Sequence, residues 1–157
     1  MRYRLSKFFI FASILGIASC IKPVVYPPEP EIVFKSFVEN GNDQATLIIE
    51  FTDGDGNIGL GQADTTGTFC PDTCKFHWNL FCEYYEKQNG VWTHVPRNWA
   101  EGEAYYYRIP EVTPTGQNPA LIGDIKIDID YYYLLTGFDT ARFEIQLFDR
   151  DLNGSNI

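Results

Sequence analysis

The stretch of residues 46–60, TLIIEFTDGDGNIGL, constrains the fold of this chain more than any other. Leu47, Ile49 and Phe51 alternate with mainly polar neighbours, so their side chains fall on one face of an extended chain. This pattern predicts a β-strand with one face in a core and the other in water. The alternation stops at Asp53, where closely spaced Asp, Gly and Asn residues predict a tight loop.

The same alternation recurs along the chain. It is strict at residues 124–131 and 141–147, and shorter strand-like segments lie at residues 32–38, 76–84, 91–95 and 104–109. In the last strand, we expect Ala141, Phe143, Ile145 and Leu147 to face the core. Seven such strands without a helical pattern predict an antiparallel β-sandwich of the immunoglobulin or fibronectin type III kind, with a closed barrel as the alternative.

Residues 1–19 have the features of an export signal, namely a basic start, an apolar segment at residues 8–17 and a small pair, Ala18-Ser19. Together with Cys20, the preceding residues resemble the lipobox of bacterial lipoproteins, in which the cysteine is acylated and becomes the mature N-terminus. This resemblance implies a membrane anchor at Cys20, and Ile21 after it favours the outer membrane. We therefore expect a lipid-anchored protein of the cell envelope.

Residues 20–31 are rich in proline and predict an extended tether, which leaves residues 32–157 for one β-sandwich domain. Removal of residues 1–19 takes away three positive charges and no negative ones, so the formal charge goes from −9 to −12. Such an acidic chain lacks the clustered basic surface that nucleic-acid binding requires. The expected partners are the membrane, through the lipid, and an envelope protein or glycan.

The loop of residues 53–59 contains a candidate cation site. Asp53, Asp55 and Asn57 have the spacing of the first three ligands of an EF-hand loop, and their oxygens suit calcium. The match is partial, because Ile58 stands where the EF-hand has its glycine and no helices flank the loop. The alternative is a turn in which these side chains hydrogen-bond to their own backbone.

A second acidic loop follows the last predicted strand. Asp149, Asp151, Asn153 and Gly154 fit the D-x-D-x-N-G pattern better, although Arg150 can pair with a neighbouring carboxylate instead. With seven strands that alternate in direction, the second strand ends at one pole of the sandwich and the seventh at the other. We therefore expect the two acidic loops not to share one ion.

The cysteines other than Cys20 lie close together in the sequence. Cys70 and Cys74 can close a small disulfide loop, with Cys82 left as a buried free thiol on its strand. The alternative is a zinc site that also uses His77. His77 and Cys82 would then lie about 16 Å apart on one extended strand, which is too far for a shared ion.

The aromatic residues offer a further alternative, a platform for sugar rings. Its members would be the tyrosines at residues 105–107 and 131–133 with Trp92 and Trp99. Consecutive strand residues point to opposite faces, so each tyrosine triplet can expose only one or two rings, and core packing explains them better. We find no nucleophile motif around His77 or His94, and no catalytic residues are assigned.

Several short motifs resemble an uncharacterised family of secreted bacterial lipoproteins. Members carry a strand that ends in a DGDGDIG-like loop, an N-L-x-x-x-x-Y-x-x-x-N-G-x-W hairpin, an R-x-P step and a closing D-R-x-x-x-x-S-N. The corresponding residues here are 53–59, 79–92, 108–110, and Asp149-Arg150 with Ser155-Asn156. The segment 69–82 departs from the pattern. The resemblance implies a β-sandwich in the cell envelope and no particular activity.

Three functions follow from these observations. The first is a lipid-anchored envelope β-sandwich with a structural or interaction role and no enzymatic activity. The second is a calcium- or glycan-binding module that uses the loop of residues 53–59. The third is a hydrolase that uses carboxylates, which a pocket with converging carboxylates of shifted pKa would favour.

Overall fold

The computed structural model describes residues 24–42, 44–71, 73–96, 105–130 and 139–157. Seven strands lie in these residues: β1 (Glu31–Gly41), β2 (Gln44–Asp53), β3 (Leu80–Gln88), β4 (Val91–His94), β5 (Tyr105–Tyr107), β6 (Leu121–Asp130) and β7 (Ala141–Leu147). Two short 3₁₀ turns, Gly67–Phe69 and Lys75–His77, interrupt the long segment between β2 and β3.

The strands form two antiparallel sheets, which confirms the predicted β-sandwich. One sheet has the order β1-β2-β6, and β3 is the central strand of the other, with β4 and β5 along one edge and β7 along the opposite edge. No strand pairing between described residues joins the two sheets, as a closed barrel would require. Asn89 and Gly90 turn the chain between β3 and β4 with φ of 51° and 85°, the left-handed values of a tight hairpin.

The core lies between the sheets, and the alternating patterns place it correctly. Leu47, Ile49 and Phe51 of β2 are buried, and Ile125, Ile127 and Ile129 of β6 are buried opposite the second sheet. The exposed face of the first sheet carries polar cross-strand pairs, such as Thr46 with Asp128 at 2.8 Å. One sheet face therefore lies in the core and the other in water, as predicted from the sequence.

The prediction for the last strand is wrong at one end. Leu147 is buried, Phe143 and Ile145 are half-buried, and Ala141 is exposed, because β7 is an edge strand and β1 makes few contacts with it. Tyr131, which the alternation assigned to β6, lies outside the described residues.

The proline-rich segment before β1 contacts the domain within a few residues of the first described residue, Val24. The backbone N–H of Gly54 donates to the carbonyl oxygen of Pro27 at 2.8 Å, and Pro30 is buried. A Cβ atom at position 54 would lie 2.3 Å from the carbonyl oxygens of both Tyr26 and Pro27, so only glycine permits this approach. The chain therefore enters the sandwich beside the loop that follows β2.

Candidate metal centre

Asp53 builds the loop at the end of β2. Its side chain is fully buried, with 0% exposure. One carboxylate oxygen, Oδ2, accepts hydrogen bonds from the backbone N–H groups of Asn57 at 2.8 Å and Ile58 at 3.2 Å. An Asp side chain that binds backbone donors a few residues later is typical of tight turns. Asp53 thus fixes the positions of the residues that follow it.

Asn57 connects this loop to the loop after β7. Its amide nitrogen donates to Oδ2 of Asp55 at 3.2 Å and to Oδ2 of Asp151 at 3.0 Å. The amide oxygen of Asn57 is buried, and no group in the described part of the chain donates to it. The orientation of the amide is therefore set by the two carboxylates, and its oxygen remains available as a ligand.

Asp149 lies at the end of β7, in an isolated antiparallel bridge with Ile58. Its carboxylate is buried and accepts hydrogen bonds from the backbone N–H of Asn153 at 2.8 Å and from the Asn153 side-chain amide at 2.7 Å. Asn153 therefore stabilises a turn, like the one that Asp53 forms on β2. Arg150 points away and pairs with Glu111 and Asp64.

These two loops lie together, and the expectation that they are separated is wrong. One carboxylate oxygen each from Asp53, Asp55 and Asp149 lies within 4.8 Å of the others. The reason is the pairing of β4 and β5, which both run antiparallel to β3 along the same edge of it. Two consecutive strands thus run in the same direction, so β2 and β7 end at the same pole.

Burial and the neighbouring carboxylates disfavour the ionised form of Asp53. Burial raises the pKa of Asp53 from 3.8 to about 6, and the charge of Asp55 adds to this effect. The charge of Asp149 acts in the same direction, while the hydrogen bonds from Asn57 and Ile58 partly oppose it. No ion pair between described residues involves any of these three carboxylates. The cluster therefore holds negative charge that no protein cation among the described residues neutralises.

The free oxygens of the cluster fit a hard cation. Oδ1 of Asp53 is buried and has no hydrogen-bond donor among the described residues, and the same is true of Oδ1 of Asn57. A buried oxygen without a donor loses its hydration and gains nothing in return, unless a cation or an ordered water fills that role. With carboxylate and amide oxygens as the available ligands, calcium is preferred over zinc, which favours nitrogen and sulfur.

The cysteines occupy a different part of the molecule. Cys70 and Cys74 are joined by a disulfide, and Cys82 is a buried free cysteine of β3 whose thiol pKa is raised to about 12 by burial. His77 lies in a 3₁₀ turn, with Nδ1 3.2 Å from the carbonyl oxygen of Phe69. Because the disulfide leaves no thiolate at Cys70 or Cys74, the four residues do not provide a zinc site in this form.

The tyrosines of β5 are used for packing and hydrogen bonding. Tyr105 is buried, the Tyr106 hydroxyl donates to Glu83 at 2.7 Å, and the Tyr107 hydroxyl donates to the carbonyl oxygen of Asp128 at 3.1 Å. The Arg142 guanidinium lies over Trp92, with the Arg142 Cζ atom 4.8 Å from the centre of the Trp92 ring. The other candidates for a sugar platform, Trp99 and the tyrosines at 131–133, lie outside the described residues.

The sequence singled out Asp53, Asp55 and Asn57 as candidate ligands but did not predict that Asp149 and Asp151 lie beside them. The signal was present, since both loops follow a strand with the same D-x-D-x-N spacing. Comparison with protein-family models, curated proteins and solved structures gives no match for this chain. Within the described residues, no helix is long and apolar enough to span a membrane.

Proposed function

We propose that this chain is a lipid-anchored β-sandwich of the cell envelope that binds one calcium ion at its tether-proximal pole. The ligands are carboxylate oxygens of Asp53, Asp55 and Asp149 with the amide oxygen of Asn57. The ion would have a structural role, because it joins the loop after β2 to the loop after β7. The anchor rests on the lipobox at Cys20.

The observation that supports this proposal most strongly is Oδ1 of Asp53. This oxygen is buried, receives no hydrogen bond from a described residue and belongs to a carboxylate within 4.8 Å of two others. Three acidic side chains at such distances repel each other strongly where two of them, Asp53 and Asp149, are buried. A divalent cation removes the repulsion and supplies the missing partner at the same time.

The spacing favours calcium over magnesium. Calcium lies at about 2.3–2.6 Å from its ligands, so it can contact oxygens up to about 5 Å apart. Magnesium, at about 2.0–2.1 Å, requires a smaller and more regular octahedron and gives up its water reluctantly. One carboxylate oxygen from each of the three residues lies within 4.8 Å of the other two, which is inside the span for calcium.

Isothermal titration of the metal-free domain with calcium tests this function. We expect one site with a dissociation constant of about 10⁻⁴–10⁻³ M, which is typical of extracellular calcium modules. Asp149→Asn should weaken binding at least tenfold, whereas Asp128→Asn, an exposed Asp on β6, should bind like the parent. Equal binding by the parent and Asp149→Asn would contradict the proposed site.

A calcium ion at this site also affects stability. At a calcium concentration of roughly ten times the dissociation constant, binding to the folded state alone adds about 1.4 kcal/mol to the free energy of unfolding. We expect the melting temperature to rise by a few degrees with calcium and to fall again with a chelator. Magnesium at the same concentration should produce a smaller rise.

A further inference from the structure

The second feature with a functional consequence is the seam between the edge strands β1 and β7. It is lined on one side by Phe34 of β1 and on the other by Phe143 and Ile145 of β7. Two adjoining clefts of about 430 Å³ and 450 Å³ share these three side chains. Volumes in this range are typical of ligand-binding clefts.

The edge of β7 opposite β3 has backbone groups that can pair with a further strand. Leu147 exchanges hydrogen bonds with Ser155, whose N–H donates to the Leu147 carbonyl at 2.8 Å and whose hydroxyl accepts from the Leu147 N–H at 3.0 Å. Leu147 therefore directs its backbone groups away from β3. Because these directions alternate along a strand, Phe143 and Ile145 direct theirs to the same free edge. Within the described residues, no strand pairs with this edge of β7.

On the β1 side of the seam, a residue after β7 also pairs with strand backbone. The side-chain amide of Asn156 pairs with the backbone of Ile32, accepting from its N–H at 2.8 Å and donating to its carbonyl at 2.9 Å. Ser155 and Asn156 thus occupy one end of the seam in the manner of a strand. Beyond them, the exposed Phe34, at 63% exposure, faces the free edge of β7.

The charges at the rim indicate the chemistry of an occupant. Glu39, Asp139 and Glu144 border the two clefts, and Arg142, the basic residue among their lining residues, pairs with Glu144 at 2.8 Å. Glu39 and Asp139 form no ion pair with a described residue. The rim is therefore acidic around an apolar floor, in a protein whose formal net charge is −9.

We propose that the seam binds an extended peptide of a partner protein, which adds as a strand antiparallel to β7. Its apolar side chains, at alternate positions, would enter the cleft against Phe34, Phe143 and Ile145. A lysine or arginine at the end of the peptide beside the start of β7 would contact Glu39 and Asp139, which both border the first cleft. Strand addition at a free sheet edge is an established mode of peptide recognition, in which the backbone gives affinity and the cleft gives selectivity. This binding does not depend on the metal centre.

A synthetic probe tests the proposal: a peptide of about ten residues in which valine alternates with threonine, with lysine at both ends. Fluorescence anisotropy should detect its binding to the full domain. Two control peptides should each bind at least about tenfold more weakly. One has the same composition with its valines consecutive, and the other has glutamate in place of lysine. Phe34→Ser should weaken binding by a similar factor.

The control variant is Ile122→Ser on β6. Ile122 is 57% exposed, close to the value for Phe34, but it lies on the opposite edge strand of the first sheet. Its replacement should leave peptide binding unchanged. Both positions are exposed, so neither change should unfold the domain.

Amide hydrogen exchange locates the peptide. The N–H groups of Phe143 and Ile145 should exchange rapidly in the free domain and slowly with the peptide. The N–H of Glu144, which is directed towards β3, should be protected in both states. Equal affinity for the consecutive-valine peptide, or the absence of peptide binding, would overturn the proposal. Protection of Phe143 and Ile145 in the free domain would also overturn it, whether it arises within the chain or in a dimer seen by light scattering.

Discussion

Asp53 divides its two carboxylate oxygens between two tasks. Oδ2 holds the loop through the N–H groups of Asn57 and Ile58, and Oδ1 is left without a donor. The first task is the hydrogen-bonded turn that the sequence offered as the alternative to a cation site. The two interpretations are therefore compatible at one residue, because a carboxylate can form the turn with one oxygen and bind an ion with the other.

Asp53→Asn separates these tasks. The amide oxygen can still accept from the backbone of Asn57 and Ile58, but the buried charge is gone. Without calcium at pH 7, the raised pKa corresponds to a cost on the order of 3 kcal/mol for the ionised form. We expect the variant to gain about 1–3 kcal/mol in the presence of a chelator and to lose its response to calcium, as measured by urea unfolding.

Asp128→Asn is the control for this comparison, since Asp128 is exposed on β6. Its free energy of unfolding should stay within about 0.5 kcal/mol of the parent, with the calcium response intact. If Asp53→Asn is less stable than the parent in chelator, the charge of Asp53 stabilises the metal-free fold and our description of the centre is wrong.

The pKa of Asp53 also predicts how stability depends on pH. Its folded-state value of about 6 lies above 3.8, so the folded state binds more protons than the unfolded state between these values. This group's contribution to stability is therefore lost as pH rises from about 4 to 6, and its penalty is complete above that window. With chelator present, the free energy of unfolding of the parent should fall relative to that of Asp53→Asn as the pH rises from about 4 to 6. A constant difference between the two proteins would contradict the assignment.

Cys82 should be unreactive in the native mature protein. It is buried and its thiol pKa is raised to about 12, so thiolate is scarce at neutral pH. If Cys20 is acylated as we propose, and with Cys70 bridged to Cys74, a thiol reagent should detect one cysteine after denaturation without reductant and none before it. A disulfide to Cys82 in the mass spectrum would refute this arrangement.

At the scale of the strands, β6 offers the cleanest comparison. Ile127 has 3% exposure and packs in the core, while the neighbouring Lys126 is exposed on the other face. Ile127→Ala should reduce the free energy of unfolding by about 2–5 kcal/mol, and Lys126→Ala by less than about 0.5 kcal/mol. Chemical denaturation measures both. Equal losses would mean that β6 presents the opposite face to the core.

The same strands show which parts of the structure the sequence could predict. Alternation depends on local chemistry, so the inward faces of β2 and β6 and the turn at Asn89 followed directly from the residues. The direction of a strand relative to the whole sandwich depends on which edge it joins. The sequence did not reveal that β5 continues along the same edge of β3 as β4, and this single pairing brings Asp149 to Asp53.

The motif residues of the lipoprotein resemblance also have structural explanations. The Arg108 guanidinium donates to the carbonyl oxygens of His77, Gly61 and Asp64 at 2.6–2.9 Å. The Asn79 side chain pairs with the backbone of Ile109 in both directions. These contacts position the long segment between β2 and β3. They could not be read from spacing, because each joins residues about 30 or more positions apart.

For the whole molecule, the main prediction concerns the anchor. If Cys20 is the acylated residue, as its resemblance to a lipobox implies, Cys20→Ala should abolish acylation and release the protein from the membrane fraction. Incorporation of labelled palmitate is the measurement, and incorporation that persists in the variant would exclude Cys20 as the lipid site. Six residues lie between Cys20 and Pro27, so the two Cα atoms are at most about 25 Å apart, and an anchored domain would hold its candidate metal centre near the membrane.

A crystal structure grown with calcium would show whether the two acidic loops form one calcium site. We expect a single anomalous peak within about 2.3–2.6 Å of carboxylate oxygens from Asp53, Asp55 and Asp149, with the Asn57 oxygen as a further ligand. A structure with calcium in the crystal and only an ordered water donating to Oδ1 of Asp53 would contradict it.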